Sequence, residues 1–312
     1  MTLLRINATK HGLERHNSTA PLLPCLRQHL QRQPPTRPVV IMTHGFRFAP
    51  GAGADCPHNH ILSLNKHPIH PKALSWPCAL GLTTDSAAPG LGIAFGWPAL
   101  GSLWQAHTQA KQAGMMLAAL ITQIHALAPQ RPIHLMGHSL GARVILTALP
   151  HAPTGSVHRL LLLAPAEYQS TTRAALTSPA GRQAEAFMIT SGENALFDVA
   201  LERLIAPPCA KDRVIGLSAP DLPNLTTLRL DCPATLAALA KCDLRIAPRQ
   251  KGICHWSVYL RPGVFDLYRA LLWHPQHPTL AALRLPVKSH SPAFRPRVPA
   301  FQPLSLFRKA PS

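Results

Sequence analysis

Apolar positions along the chain fall into two kinds of run. Short, branched, charge-free runs occur at Val39–Met42, Leu91–Trp97 and Ile133–Met136. Each is four to seven residues long and bounded by turn-forming residues, which predicts buried strands. Arg159–Leu163, Ala186–Thr190 and Leu225–Leu230 read the same way, and a short strand is expected near Leu3–Ile6. Between Leu103 and Leu127 the period changes. Ala113, Met116, Leu117, Leu120, Ile121 and Ile124 are spaced three and four apart, one face of an amphipathic helix. A second helix is expected from about Leu140 to Leu149, stopped by Pro150. A last one is expected to open with Pro262 near its first position and to run to about Trp273. Strands alternating with helices predict an α/β class, with a mostly parallel central sheet and helices on both faces.

Three regions interrupt or flank this pattern. Residues 1–37 are basic and broken by proline, so the domain is expected to span 38–273. Residues 47–90 are rich in His, Pro and Gly without a period, which predicts a long surface excursion. Residues 274–312 hold eight prolines and no acid, which predicts a disordered basic tail.

Composition adds limits. At 312 residues and 46% hydrophobic, the chain can build a substantial core. The net charge of +18 suggests a polyanion partner, yet only 14% of residues are charged. Without a dense Lys/Arg block interleaved with aromatics, nucleic acid is not the expected partner. No apolar run has the length of a membrane-spanning helix, and the N-terminus lacks the apolar core of a secretory signal. Seven cysteines without a C-x-x-C pair support neither a disulfide framework nor a zinc ribbon, and a cytoplasmic location is expected.

The chemistry centres on Gly137-His138-Ser139-Leu140-Gly141, a G-x-S-x-G placed after a predicted strand and before a predicted helix. A tight strand-to-helix turn holds the serine oxygen clear of the sheet, and residues larger than glycine at 137 and 141 would clash. The Leu140 amide, at the helix start, faces any anion forming nearby. Thr43-His44-Gly45-Phe46 ends the first buried strand, and the Phe46 amide is the expected second donor of an oxyanion hole.

A base should follow the nucleophile in the chain. His151 and His158 come too early, while His274, His277 and His290 lie in or beside the tail. His255 remains, next to Trp256. The acid should lie on a loop after a strand. Glu193 has that context, with Asp198 and Glu167 as alternatives. On this reading Glu193→Gln lowers turnover far more than Asp198→Asn. Cys56, His58, His60, His67 and His70 have spacings that suit zinc. With 18 histidines in the chain such clusters arise easily, and no metal is expected.

With these pieces the sequence resembles the α/β-hydrolase superfamily and, more closely, an uncharacterised bacterial serine-hydrolase branch of it. The likeness is carried by PVVIMTHGF at 38–46, IAFGWP at 93–98, PIHLMGHSLG at 132–141, LLLLAPAE at 160–167, SGENAL at 191–196 and HWSVYL at 255–260. It covers roughly residues 36–273. The resemblance implies an α/β-hydrolase fold and a cofactor-independent hydrolase of acyl esters or thioesters: a carboxylesterase, lipase or thioesterase acting on a small acyl substrate. In that branch an acid-x-Ala-Leu step follows the late strand, and here it reads Glu193-Asn194-Ala195-Leu196. Two competing readings are a binding protein that retains the fold without turnover and a basic peripheral protein that binds anionic lipid or nucleic acid.

Overall fold

The apolar runs become the centre of one sheet because both of its faces are covered. Along Val39–Met42, Val39 and Ile41 enter one hydrophobic cluster while Val40 and Met42 enter another. Alternate side chains point to opposite faces of a strand, so a run apolar at every position needs cover on both sides. The computed structural model describes residues 3–65, 74–82, 90–249 and 252–274.

Eight strands pair in this sheet: β1 (Leu3–Thr9), β2 (Gly12–Arg15), β3 (Val39–Thr43), β4 (Leu91–Gly96), β5 (Ile133–His138), β6 (Val157–Leu163), β7 (Glu185–Thr190) and β8 (Leu225–Arg229). Their order is β2-β1-β4-β3-β5-β6-β7-β8. Only the β1–β2 hairpin is antiparallel, while β1 lies parallel to β4 and every later neighbour is parallel. One face carries α1 (Leu22–Gln31), α3 (Leu103–Leu127), α4 (Leu140–Ala148) and α5 (Gln169–Leu176). The other carries α2 (Trp76–Ala79), α7 (Pro233–Ala240), α8 (Ser257–Leu260) and α9 (Val264–Trp273). Between α5 and α7 in the chain, α6 (Ala195–Leu204) follows β7. This is the α/β-hydrolase fold.

The long helix α3 matches its predicted span, and its start is fixed by a capping box. The Ser102 hydroxyl accepts from the Gln105 amide at 3.2 Å, and the Gln105 side chain accepts from the Ser102 amide at 2.9 Å. Pro150 falls in a 3₁₀ turn, Leu149–His151, that ends α4. Pro262 stands outside α9, which begins at Val264 after Gly263 (φ 89°).

Two expectations are corrected. Residues 1–37 are not a separate segment, since β1, β2 and α1 complete the sheet edge and pack into the same core. Arg131 fastens this edge by donating to the carbonyls of Leu30, Gln33, Pro34 and Arg37 at 2.8–3.0 Å. Nor are residues 47–90 only a surface excursion. Ile61, Leu62, Trp76, Leu80 and Leu82 are fully buried in the second cluster. Proline and histidine hid that contribution because these side chains enter the core singly, without a period. The expected basic tail, past His274, lies outside the described residues. No helix among the described residues is long and apolar enough to cross a membrane.

Candidate active site

The carboxyl ends of β3, β5 and β7 converge, the usual location for a site in an open parallel sheet. β5 delivers Ser139 at the N-cap of α4, with φ 56° and ψ −121°. A non-glycine residue rarely adopts a positive φ, and here the strained turn is held by its neighbours. The Ser139 amide donates to Leu163 O at 2.9 Å, and its carbonyl accepts from Ala142 and Ala166. The glycines around it permit close approach. A Cβ at Gly141 would lie 2.7 Å from His44 O, and one at Gly45 would lie 2.9 Å from Ser139 Cβ.

That contact brings the loop after β3 against the serine. His44 is fully buried, and its ring roles follow from its partners. The Trp97 amide donates to Nε2 at 3.0 Å, so the ring proton is on Nδ1, which donates to Gly45 O at 2.9 Å. The Trp97 indole N–H closes the interlock on His44 O at 3.0 Å, and the two rings stack 7° from parallel. Burial lowers the His44 pKa to about 4, so this ring stays neutral. A peptide's C=O and N–H point in opposite directions. Anchoring Gly45 O on His44 therefore fixes the Phe46 N–H as well. The next amide, of Arg47, is already taken by Ala99 O at 2.9 Å. Among the described residues no acceptor takes the Phe46 amide. Leu140 opens α4, so its amide has no carbonyl one turn earlier.

His255 precedes α8 and is placed by side chains. Its ring stacks on Phe197 (4.6 Å between centroids), and its carbonyl accepts from His138 Nε2 at 2.9 Å. Its Nδ1 lies 2.6 Å from Asn194 Oδ1. The Asn194 amide nitrogen donates onward to Asp198 Oδ1 at 2.9 Å. Asn194 and Asp198 are 2% and 3% exposed. A Cβ at Gly216 would lie 2.4 Å from the Asp198 carboxylate, so glycine there leaves room for the pair. Burial lowers the His255 pKa well below its ordinary value, with the charge of His138 adding to the effect. Burial likewise raises Asp198 to about 8, with the Asn194 hydrogen bond opposing the rise.

The three candidate acids therefore have different surroundings. Glu193, 2% exposed, is engaged by the Arg261 guanidinium and by the Ser191 hydroxyl at 3.0 Å. The group on the His255 ring is its neighbour, Asn194. Glu167 is paired with Arg143 and accepts from the Tyr168 amide at 2.8 Å. Asp198 reaches His255 only through the Asn194 amide. A search restricted to carboxylates could not find Asn194. The available signal was its spacing from Asp198, four residues on and on the same helix face.

Ser139, Leu140, Phe46, Asn194, Asp198 and His255 all line one cavity of about 140 Å³. A larger, more open groove of about 440 Å³ surrounds Arg131. It lies at the amino end of β5, away from these groups, and its guanidinium is occupied by backbone carbonyls.

The zinc-spaced cluster is only partly described, because His67 and His70 lie outside the described residues. His58 has a structural partner, with its Nε2 2.7 Å from Asn7 Oδ1 and its ring against His16. Among the described residues no three His, Cys, Asp or Glu side chains could hold a metal ion.

Comparison with known proteins gives limited relatives. Residues 72–160 match the model of a family described as a protein of unknown function (DUF726). No curated protein sequence matches significantly. Among solved structures, the catalytic core domain of acetyl xylan esterase from Trichoderma reesei is 15% identical, with a TM-score of 0.28. That match covers 43% of this chain and 65% of that one. An acetylxylan esterase solved at 0.90 Å is 12% identical, with a TM-score of 0.36, over 80% of this chain and 99% of that one. An iodinated complex of acetyl xylan esterase is also 12% identical, with a TM-score of 0.34, over 78% and 98%.

Proposed function

We propose that this protein is a serine hydrolase that cleaves an acyl ester or thioester through an acyl-enzyme. The observation that carries the reading is the convergence of a strained Ser139, the His255 ring and two helix- and loop-borne amides on one cavity. Ser139 Oγ attacks the acyl carbonyl while His255 Nε2 takes its proton. The tetrahedral oxyanion is held by the amides of Leu140 and Phe46, and loss of one such donor costs about 3–4 kcal/mol in the transition state. As the intermediate collapses, His255 returns the proton to the departing alcohol or thiol. Water, activated by the same ring, then releases the acid.

Asn194 takes the third place. Its Oδ1 accepts from His255 Nδ1–H, which leaves a lone pair on Nε2 to take the serine proton. An asparagine serves in this way in other hydrolases. Alone, an amide could also turn its NH₂ toward the ring and impose the wrong tautomer. Ionised Asp198 can only accept, so it claims the NH₂ and leaves Oδ1 for the histidine. Glu193, bound to Arg261, has a structural role in this reading: it joins the β7–α6 turn to the chain after His255.

The test is labelling with a fluorophosphonate, read by intact mass. One adduct on the wild type, absent from Ser139→Ala, is expected. A folded protein that takes no adduct has no activated serine, and the hydrolase reading then fails.

A further inference from the structure

We propose that the cavity facing Ser139 is an acyl pocket for a short, uncharged fatty acyl group of about four to six carbons. This rests on the serine-hydrolase reading above. The walls are apolar: Phe46, Ile61 and Leu103 contribute, as do Phe197, Leu201 and Trp256. Of the polar side chains on the wall, His138, His255, Asn194 and Asp198 are engaged, through His138 on His255 O, His255 on Asn194, and Asn194 on Asp198. A sugar acid or hydroxy acid would bury its hydroxyls against hydrocarbon, which is unfavourable without partners. An anionic acyl group would need a buried cation. Among the described lining residues the only permanent cation is Arg47, which is exposed.

Size sets the chain length. The cavity is about 140 Å³, close to the roughly 150 Å³ apolar cavity that accommodates benzene, a six-carbon ligand. One wall is also fixed in advance. The Trp104 indole N–H donates to Leu204 O at 2.7 Å and pins the start of α3 to the end of α6, beside Leu103 and Leu201. The pocket therefore discriminates by length, and two side chains should set the limit. Leu201→Ala lengthens it, and Ala200→Leu fills it.

The experiment measures kcat/KM on the full chain for p-nitrophenyl acetate, butanoate, hexanoate and decanoate, plus the anionic succinyl half-ester. Fluorophosphonate labelling of Ser139 runs in parallel. Burial of each methylene should raise kcat/KM about fourfold up to the limit. The expected result is a maximum at butanoate or hexanoate, a fall at decanoate, and a succinyl ester at least about tenfold below butanoate. Leu201→Ala should move the maximum to a longer chain and Ala200→Leu to a shorter one. Labelled Ser139 with a flat or steadily rising length profile would overturn the pocket and leave the hydrolase reading standing. So would a maximum that neither variant moves. Unlabelled Ser139 would overturn both.

Discussion

Ser139 and the Leu140 amide are placed by backbone and the Phe46 amide by one local His44–Trp97 interlock, whereas His255 is placed by side chains drawn from distant segments. Around Ser139, one strand-to-helix turn and one loop interlocked through His44 and Trp97 supply everything, and three glycines let them touch. Around His255, a buried amide, a buried acid, an aromatic ring and the Glu193–Arg261 ion pair come from two stretches some sixty residues apart. The first kind of construction tolerates change at most side chains but none at the turn. The second depends on each polar partner in sequence, because an unpaired buried group costs more than the pair contributes.

This comparison can be broken at several points, the largest effect coming first. Ser139→Ala should remove turnover, a loss of about 10⁶ in kcat, with an unchanged melting temperature. Turnover within about tenfold of the wild type in that variant would remove Ser139 as the nucleophile. Asn194→Leu should lower kcat by about 10²–10⁴, the range expected when a base loses its correct tautomer. The double variant Asn194→Asp with Asp198→Asn should recover most of that loss, because a carboxylate then faces His255 with an amide behind it. Failure of the exchange, in a folded protein that still takes up fluorophosphonate, would show that Asn194 only packs.

Glu193→Gln sharpens the contrast by acting on stability. Removing one partner of a buried ion pair destabilises by about 3–5 kcal/mol. Its chemical unfolding midpoint should drop, while kcat per folded molecule should fall less than in Asp198→Asn. The opposite ranking would restore Glu193 as the group that serves His255.

The smallest effect is on pH dependence. With Asp198 raised to about 8, a protonated carboxyl can donate as well as accept below that pH, and the Asn194 amide is free to turn. Above it the carboxylate only accepts. A rise in kcat/KM through about pH 8 is expected, flattened in Asp198→Asn, with no limb from His255 near its ordinary value. Stability runs the other way. The folded acid keeps a proton that the unfolded chain releases near 3.8, so stability falls as pH rises from about 4 to 8. A wild-type profile that is level from pH 7 to 9 would take Asp198 out of the relay.

What the sequence disclosed follows the same division. The strand-to-helix turn at Ser139 was legible because its glycines, strand and helix are contiguous. The central strands were legible because burial on both faces leaves unbroken apolar runs such as Leu160–Leu163. The edge was not: β2 is four residues of mixed polarity, and only the paired register with β1 makes it a strand. The short helices α5 and α7 carry weak signals because their packing, more than their periodicity, sustains them. Asn194 was invisible for a chemical reason. An amide has no charge to flag it, and its role exists only once Asp198 and His255 sit on either side. Glu193 had the right address and the wrong neighbour, because Arg261 is 68 positions away.

The hydrogen bond from His138 to His255 O, spanning 117 positions, has a temporal consequence. The segments that hold the Ser139 turn all precede Glu167 in the chain, but His255 comes with almost the last described elements, next to α8 and α9. Closing so long a loop belongs to the slow, non-local end of folding. The contact between His138 and His255 is accordingly expected among the later ones to form. On the proposed mechanism, catalytic competence therefore waits for the carboxyl-terminal helices to dock.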